Sequence, residues 1–198
     1  MPRRHRVLAA GGGLIAIALA GCGAGTGGQV GAGPGLSKQP ARAQASRALP
    51  AGWGTLRLAS GASLPYPSSW RRVSGDPGSA SAALFNADGT MRAYLNATPA
   101  DGHETLPGWA RFRVRHNAAE GDRNVRLITA RPAVGLAAGR ASCVVDDYRT
   151  SRSRYRELAC ILAPSSGGRA TVLVAAARPN AWSREHPVFD FAINHVTS

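Results

Sequence analysis

The sequence predicts an α+β domain: an antiparallel β-sheet of about six strands with two helices packed on it. Three observations carry that prediction. Between Gly52 and Ala177 the chain breaks into short apolar or alternating runs separated by Gly, Pro, Asp and Ser, the punctuation of strands and turns. Two segments, opening near Thr105 and Asn180, instead space their large apolar residues at helical intervals. Cys143 and Cys160 lie symmetrically about Ser151-Arg152, as two cysteines facing each other across a hairpin would. A chain of 198 residues is long enough for one such domain and a tail besides.

Residues 1–21 carry the features of a secretory signal peptide. Arg3, Arg4 and Arg6 form a basic head, Val7 to Ala20 is apolar, and small residues close the run. The apolar stretch falls short of the roughly 20 residues of a membrane-spanning helix. Gly11, Gly12 and Gly13 would also weaken a buried helix there. Leu19-Ala20-Gly21-Cys22 resembles the lipobox of bacterial lipoproteins at every position. The resemblance implies cleavage before Cys22, a diacylglycerol on its sulfur, and acylation of the new amino group. One acyl chain binds a membrane marginally and two hold it, at roughly 0.8 kcal/mol per buried CH₂. A twin-arginine export signal is the lesser alternative, because Arg3-Arg4 lacks the usual flanking pattern.

Residues 22–50 read as a flexible tether. They are rich in Gly, Ala, Pro and Ser, with only Val30, Leu36 and Leu49 as large apolar residues, too few to offset the entropy of ordering. Gly23 to Gly28 formally fits G-x-G-x-x-G, but no strand precedes it and no helical pattern follows, so the dinucleotide reading fails its context.

Residues 51–198 form the folded domain. Thr55 to Leu58 alternates weakly as a strand, and "LPYPSSWRRV" reads as a proline-set turn leading to Trp70 and Val73. "SAALFNADGTMRAYLNATP" is two strands about Ala87-Asp88-Gly89, where Asp-Gly signals a hairpin. Thr105 caps a helix with Pro107 in its first turn and Trp109, Phe112 and His116 on one face, although Arg111 to Arg115 also alternates like a strand. "NVRLITARP", "RASCVVDDY" and "YRELACIL" extend the sheet. Ala170 to Ala177 is small and apolar throughout, which suits a central strand covered on both faces. Asn180 or Ser183 caps a last helix with Pro187 near its first turn and Val188, Phe191, Ala192 and His195 as its stripe.

With Cys22 lipidated, Cys143 and Cys160 are an even pair in an oxidising compartment, which predicts a disulfide; two buried free thiols are the alternative. A two-residue turn at Ser151-Arg152 sets Tyr148 against Tyr155, Asp147 against Arg156, Val145 against Leu158 and Cys143 against Cys160. Counted outward from the turn, the cysteines fall in a non-hydrogen-bonded pair, whose Cα atoms approach to about 4.5 Å. The same register opposes Asp146 to Glu157, and Ser-Arg is poor chemistry for a primed turn, so a longer loop with the same centre is open.

The layout resembles the PsbP-like fold, which several actinobacterial lipoproteins of the LpqN type use. The residues that carry the resemblance are "YPSSW", the Asp-Gly hairpin, the helix bearing Trp109, the meander "DDYRT" to "YRELAC", and a C-terminal helix after Trp182. It implies a non-enzymatic adaptor, ligand-binding or accessory role, and no site residue is carried over.

The chemistry-bearing residues point the same way. His103, His116, His186 and His195 lack metal-ligand spacing, and no G-x-S-x-G is present, so no metal, cofactor or hydrolase elbow is expected. Asp146, Asp147 and Glu157 are the best catalytic candidates, as paired carboxylates for sugar cleavage. Surrounded by arginines, they read more simply as a salt-bridged, solvated hairpin tip. Arg149, Arg152, Arg154 and Arg156 form a candidate anion-binding patch, or equally a charged edge guarded against aggregation. Trp53, Trp70, Trp109 and Trp182 read as core. The chain carries a net charge of +13, with twenty-three arginines against one lysine. That balance suits anionic lipid or wall polymer, or reflects a GC-rich genome. Export disfavours nucleic acid as a partner. The expected protein is therefore a lipoprotein held at the extracytoplasmic face of a cell membrane through lipid on Cys22. Its expected partner is an envelope protein or a small ligand, with an envelope hydrolase as the alternative.

Overall fold

The computed structural model describes residues 48–163 and 168–197. The expected signal peptide, Cys22 and all but the end of the expected tether lie outside those residues.

Eleven elements follow in chain order: β1 (Trp53–Arg57), β2 (Ser63–Pro67), β3 (Arg71–Val73), β4 (Ala80–Phe85), β5 (Met91–Pro99), α1 (Trp109–Ala119), β6 (Arg123–Leu136), β7 (Gly139–Arg149), β8 (Arg154–Leu162), β9 (Thr171–Ala177) and α2 (Trp182–Asn194). Seven strands form one antiparallel sheet in the order β3-β4-β5-β9-β8-β7-β6, and β1 pairs with β2 separately. Two meanders, β3–β5 and β6–β9, are thus joined where β9 returns beside β5. The class is α+β, with nine strands where about six were expected.

The surplus strands come from short or proline-bearing segments. "LPYP" forms β2 rather than the expected turn. In a two-stranded ribbon both strands are edges, so Pro65 and Pro67 cost no interior ladder bond. The turn follows at Pro67, whose carbonyl accepts the Trp70 N–H at 2.9 Å. The Asp-Gly hairpin forms as expected: Gly89 takes φ +76°, and the Asp88 carboxylate accepts both the N–H and the hydroxyl of Thr90.

The sheet is covered on both faces, which makes three layers. On one face α2 and the β1–β2 ribbon bury Leu56, Leu64, Phe189 and Ile193 against Leu95, Leu158, Leu173 and Ala175. On the other, α1 buries Trp109 against Val144, Ala159, Ile161 and Val174. β9 occupies the middle of the sheet and all seven of its residues are buried, as its uncharged sequence, apolar after Thr171, requires.

Both helices form, but neither is capped as the sequence suggests. α1 starts at Trp109 with Gly108 as its N-cap, while the Thr105 hydroxyl accepts the Gly108 N–H at 3.2 Å and so closes the preceding turn. Trp109, Phe112 and His116 stack in a ladder along α1, with ring centroids 5.8 and 5.6 Å apart. α2 begins after Ala181, without a side-chain cap from Asn180 or Ser183, and Pro187 lies inside it. Its buried residues are Glu185, Phe189, Ala192 and Ile193, so the stripe is turned by about one position from that expected. The turn lets Glu185 pair with Arg92 of β5. Phe191 instead stacks against Trp53, with centroids 4.2 Å apart.

Candidate functional site

The β7–β8 hairpin is the frame of the site. Its register matches the expected one at every pair, from Arg149 opposite Arg154 to Ala141 opposite Leu162. Cys143 and Cys160 form a disulfide with Cα atoms 4.1 Å apart, the close approach of a non-hydrogen-bonded pair. The unfavourable Ser151-Arg152 turn is held by Thr150. Its hydroxyl accepts the N–H groups of Arg152 and Ser153 at 3.1 and 3.0 Å, and its own N–H donates to the Ser153 carbonyl. A short Asx-like turn thereby replaces the glycine that a primed turn would want.

A pocket of about 240 Å³ opens between α2 and the β6–β8 wing of the sheet. The disulfide and Leu158 contribute to its lining from the sheet, Val134 and Leu136 from β6, and Ile193 from α2. Arg131, Asp190 and Asn194 add polar groups, so the surface the pocket presents is as much polar as apolar. A cavity of this size lies just under the range of drug-sized ligand sites. It suits one small amphipathic molecule or one apolar side chain of a partner. No pattern in the sequence singles out Arg131, Asp190 and Asn194. Two of them sit on the partly exposed side of α2, and only the folded arrangement brings them to β6.

The predicted anion-binding arginines divide. Arg156 is committed: its Nε and a terminal nitrogen donate to the two Asp147 oxygens at 2.7 and 3.0 Å, and Arg126 adds a third bond at 3.1 Å. Those bonds, Arg156 first, hold the Asp147 carboxyl below the usual carboxylate range. Arg149 and Arg154 face each other across the hairpin, and Arg123 of β6 faces Arg149 on the other side. The three form one exposed row across adjacent strands. Arg152 stands at the turn, exposed.

Asp146 and Glu157 do not lie on a solvated tip, as the sequence suggested. Strand alternation turns them to the opposite face from Asp147, and α1 covers them, leaving both at 0% exposure. Arg113 of α1 grips Glu157 with two bonds, at 2.5 and 2.8 Å. Asn117 donates to Asp146 Oδ2 at 3.4 Å, and Oδ1 has no partner among the described residues. Burial, then the neighbouring Glu157 charge, pushes the Asp146 carboxyl up to about 7. Beside this pair the Tyr94 and Tyr148 hydroxyls meet at 3.1 Å, and burial raises both phenols. The arrangement is a buried polar network that fastens α1 to the sheet, out of reach of a substrate.

The remaining candidates are structural. Trp109 is fully buried and donates its indole N–H to the Ala159 carbonyl at 2.9 Å. Trp70 is buried, while Trp53 and Trp182 are half-buried against α2 aromatics. His116 and His195 stack on Phe112 and Phe191, His186 approaches Asp190 at 3.2 Å, and His103 is exposed. Among the described residues no three His, Cys, Asp or Glu side chains come together as metal ligands.

The architecture is that of a PsbP-like α+β domain. The cyanobacterial PsbP (CyanoP) of Synechocystis overlays with a TM-score of 0.52 at 17% identity, over 76% of this chain and 94% of that one. LpqN, involved in cell envelope biogenesis of Mycobacterium tuberculosis, overlays with a TM-score of 0.41 at 12% identity, over 73% and 89% of the two chains. A Pseudomonas aeruginosa protein of unknown function gives 0.47 at 12%, over 72% and 94%. At these identities the likeness to the cyanobacterial protein is one of fold alone. No protein-family model and no curated protein sequence matches the chain.

Proposed function

We propose that this chain is an exported lipoprotein, anchored by lipid on Cys22 at the extracytoplasmic face of a cell membrane. Its folded part serves a non-catalytic binding or accessory role in the envelope. The observation that carries the binding reading is the pocket over the Cys143–Cys160 disulfide, whose lining is shared between apolar side chains and the polar groups of Arg131, Asp190 and Asn194. A concavity of such mixed lining suits a small amphipathic ligand or a partner's side chain. The alternative, a hydrolase using Asp146 and Glu157, is disfavoured by their complete burial and by the Arg113 grip on Glu157.

The lipobox supplies the anchor. The disulfide fits the oxidising compartment to which such a signal sends a chain. Two measurements test the reading. A Cys22→Ala change should move the protein out of the membrane fraction without changing its fold; persistence there contradicts lipidation. Octanoate, whose carboxylate suits Arg131 and whose tail suits the pocket walls, should shift NMR resonances of Ile193 and Leu136 in the native chain, and an Ile193→Trp variant should abolish the shift. No saturable shift, or the same shift in the variant, contradicts the pocket's role.

A further inference from the structure

A second concavity, of about 180 Å³, lies where the start of α2 meets β5 and the loop after β4, and its chemistry is unlike the first. Its lining is Asn86, Arg92, Arg178, Asn180, Ala181 and Arg184. Three arginines converge on a space that holds no carboxylate lining residue. Arg92 is already matched, because its guanidinium donates to Glu185 Oε1, with Nε at 3.1 Å. The nearby Asp88 carboxylate is exposed and turned to Thr90. Arg178 and Arg184 have no ion pair among the described residues. Arg178 is partly buried, and its Nε–H is buried with no acceptor among the described residues. Leaving a charged donor buried and unsatisfied is costly, and an occupant that accepts from it removes the cost.

A second set of donors faces the same space. Ala181, one of the lining residues, is the N-cap of α2 and has no side chain to accept from the first turn. The Arg184 and Glu185 N–H groups are bonded to the Ala181 carbonyl at 3.1 and 3.0 Å, so the N–H groups of Trp182 and Ser183 and the positive end of the helix dipole, partly offset by Glu185 in the same turn, add to the arginines. Guanidinium forks and a helix N-terminus, converging from different elements, match a tetrahedral oxyanion better than a planar carboxylate. The volume admits one such group rather than a nucleotide or a drug-sized ligand.

We propose that this concavity is a phosphate-group site, in which Arg178, Arg184 and the first turn of α2 hold the oxyanion of a phosphate ester or of inorganic phosphate. Asn180 adds a side-chain amide to the lining, and Asn86, whose Nδ2 donates to Thr90 Oγ1 at 2.9 Å, can offer its second N–H. The site is separate from the disulfide pocket and does not depend on lipid at Cys22, so its failure leaves the lipoprotein reading untouched.

The test is titration of the full-length chain, in detergent, with inorganic phosphate at constant ionic strength, followed by calorimetry and by ³¹P NMR. Saturable binding is expected, with chloride and acetate not competing. Arg184→Gln, an exposed position whose change should leave the fold intact, is expected to weaken binding by about tenfold or more, the worth of one charge-assisted hydrogen bond. Arg184→Lys, which keeps the charge but loses the fork, is expected to restore part of it. Two further arms use glycerol 1-phosphate and phosphatidylglycerol vesicles against phosphatidylcholine vesicles. Phosphate-competed binding of the phosphatidylglycerol vesicles or of glycerol 1-phosphate names a lipid headgroup as source, and binding of free phosphate alone names a soluble one. Absence of saturable phosphate binding overturns the proposal, as does equal affinity in wild type and Arg184→Gln. Vesicle binding that phosphate does not compete belongs to the basic surface and counts against the site.

Discussion

Replacing Asp146 by Asn should remove a pH dependence from the stability of the domain. Asp146 and Glu157 are both fully buried and directly opposed across β7 and β8. Arg113 makes its hydrogen bonds to Glu157, and Asp146 Oδ1 has no partner among the described residues. The other groups facing the pair are Asn117 and Asp122 near the end of α1 and the Tyr94 and Tyr148 hydroxyls; His116 acts on Asp122. Two carboxylates and one guanidinium leave an excess negative charge in a dry place, so Asp146 keeps its proton up to about pH 7, against a normal value of 3.8.

Between about pH 4 and pH 7 the folded chain therefore holds a proton that the unfolded chain has already released. Across that window the unfolded state binds fewer protons, so stability falls as pH rises, and the fall levels off above the folded-state value. At about 1.4 kcal/mol per pH unit the full loss is about 4 kcal/mol, an upper bound because Glu157 shares in the same titration. Asn at position 146 keeps the shape, cannot ionise, and can turn its NH₂ toward Glu157. The assay is urea unfolding of the oxidised protein at pH 5, 6, 7 and 8 at one ionic strength. Wild type should lose stability steadily to pH 7, whereas Asp146→Asn should show a much flatter profile and be the more stable of the two at pH 8. A flat wild-type profile, or an unchanged slope in the variant, would refute the reasoning.

Other changes have equally definite outcomes. Reducing the Cys143–Cys160 bridge, or replacing both cysteines by Ser, should cost about 3 kcal/mol for a loop of this length, read as a drop in the unfolding midpoint. Arg113→Met should cost about 3–5 kcal/mol because it strands the Glu157 charge beneath α1, and hydrogen exchange should show α1 opening first. Changing Arg123, Arg149 and Arg154 together to Gln should leave thermal stability equal or raised, since the row sets like charges opposite each other. A lowered melting temperature would mean that the row has counter-charges within the domain.

What the sequence made legible was local. The disulfide hairpin could be read residue by residue because two cysteines, a symmetric turn and strict alternation all specify one register, and Thr150 then supplied the turn chemistry that Ser-Arg lacked. β9 was legible because a run whose only polar residue is Thr171 at its start, and which carries no charge, has few places to go but the centre of a sheet. The burial of Asp146 and Glu157 was not legible, because adjacent acids beside arginines usually mean surface, and α1 arrives from far along the chain to cover them. A signal was present: Trp109, Arg113 and Asn117 recur every four residues, which sets an arginine and an amide on the same helix face as the most buried tryptophan. The two pockets were hidden for a similar reason. Arg131 meets Ile193, and Arg92 meets Arg184, only once α2 has docked on the sheet.

The central claim is that lipid on Cys22 holds a disulfide-bridged α+β domain at the outer face of a membrane. Mass spectrometry of the protein from its native membranes tests it most directly. The account predicts an N-terminal peptide that begins at Cys22 and carries the added mass of a diacylglycerol. An unmodified Cys22 thiol, or a mature chain that still carries residues 1–21, would contradict it.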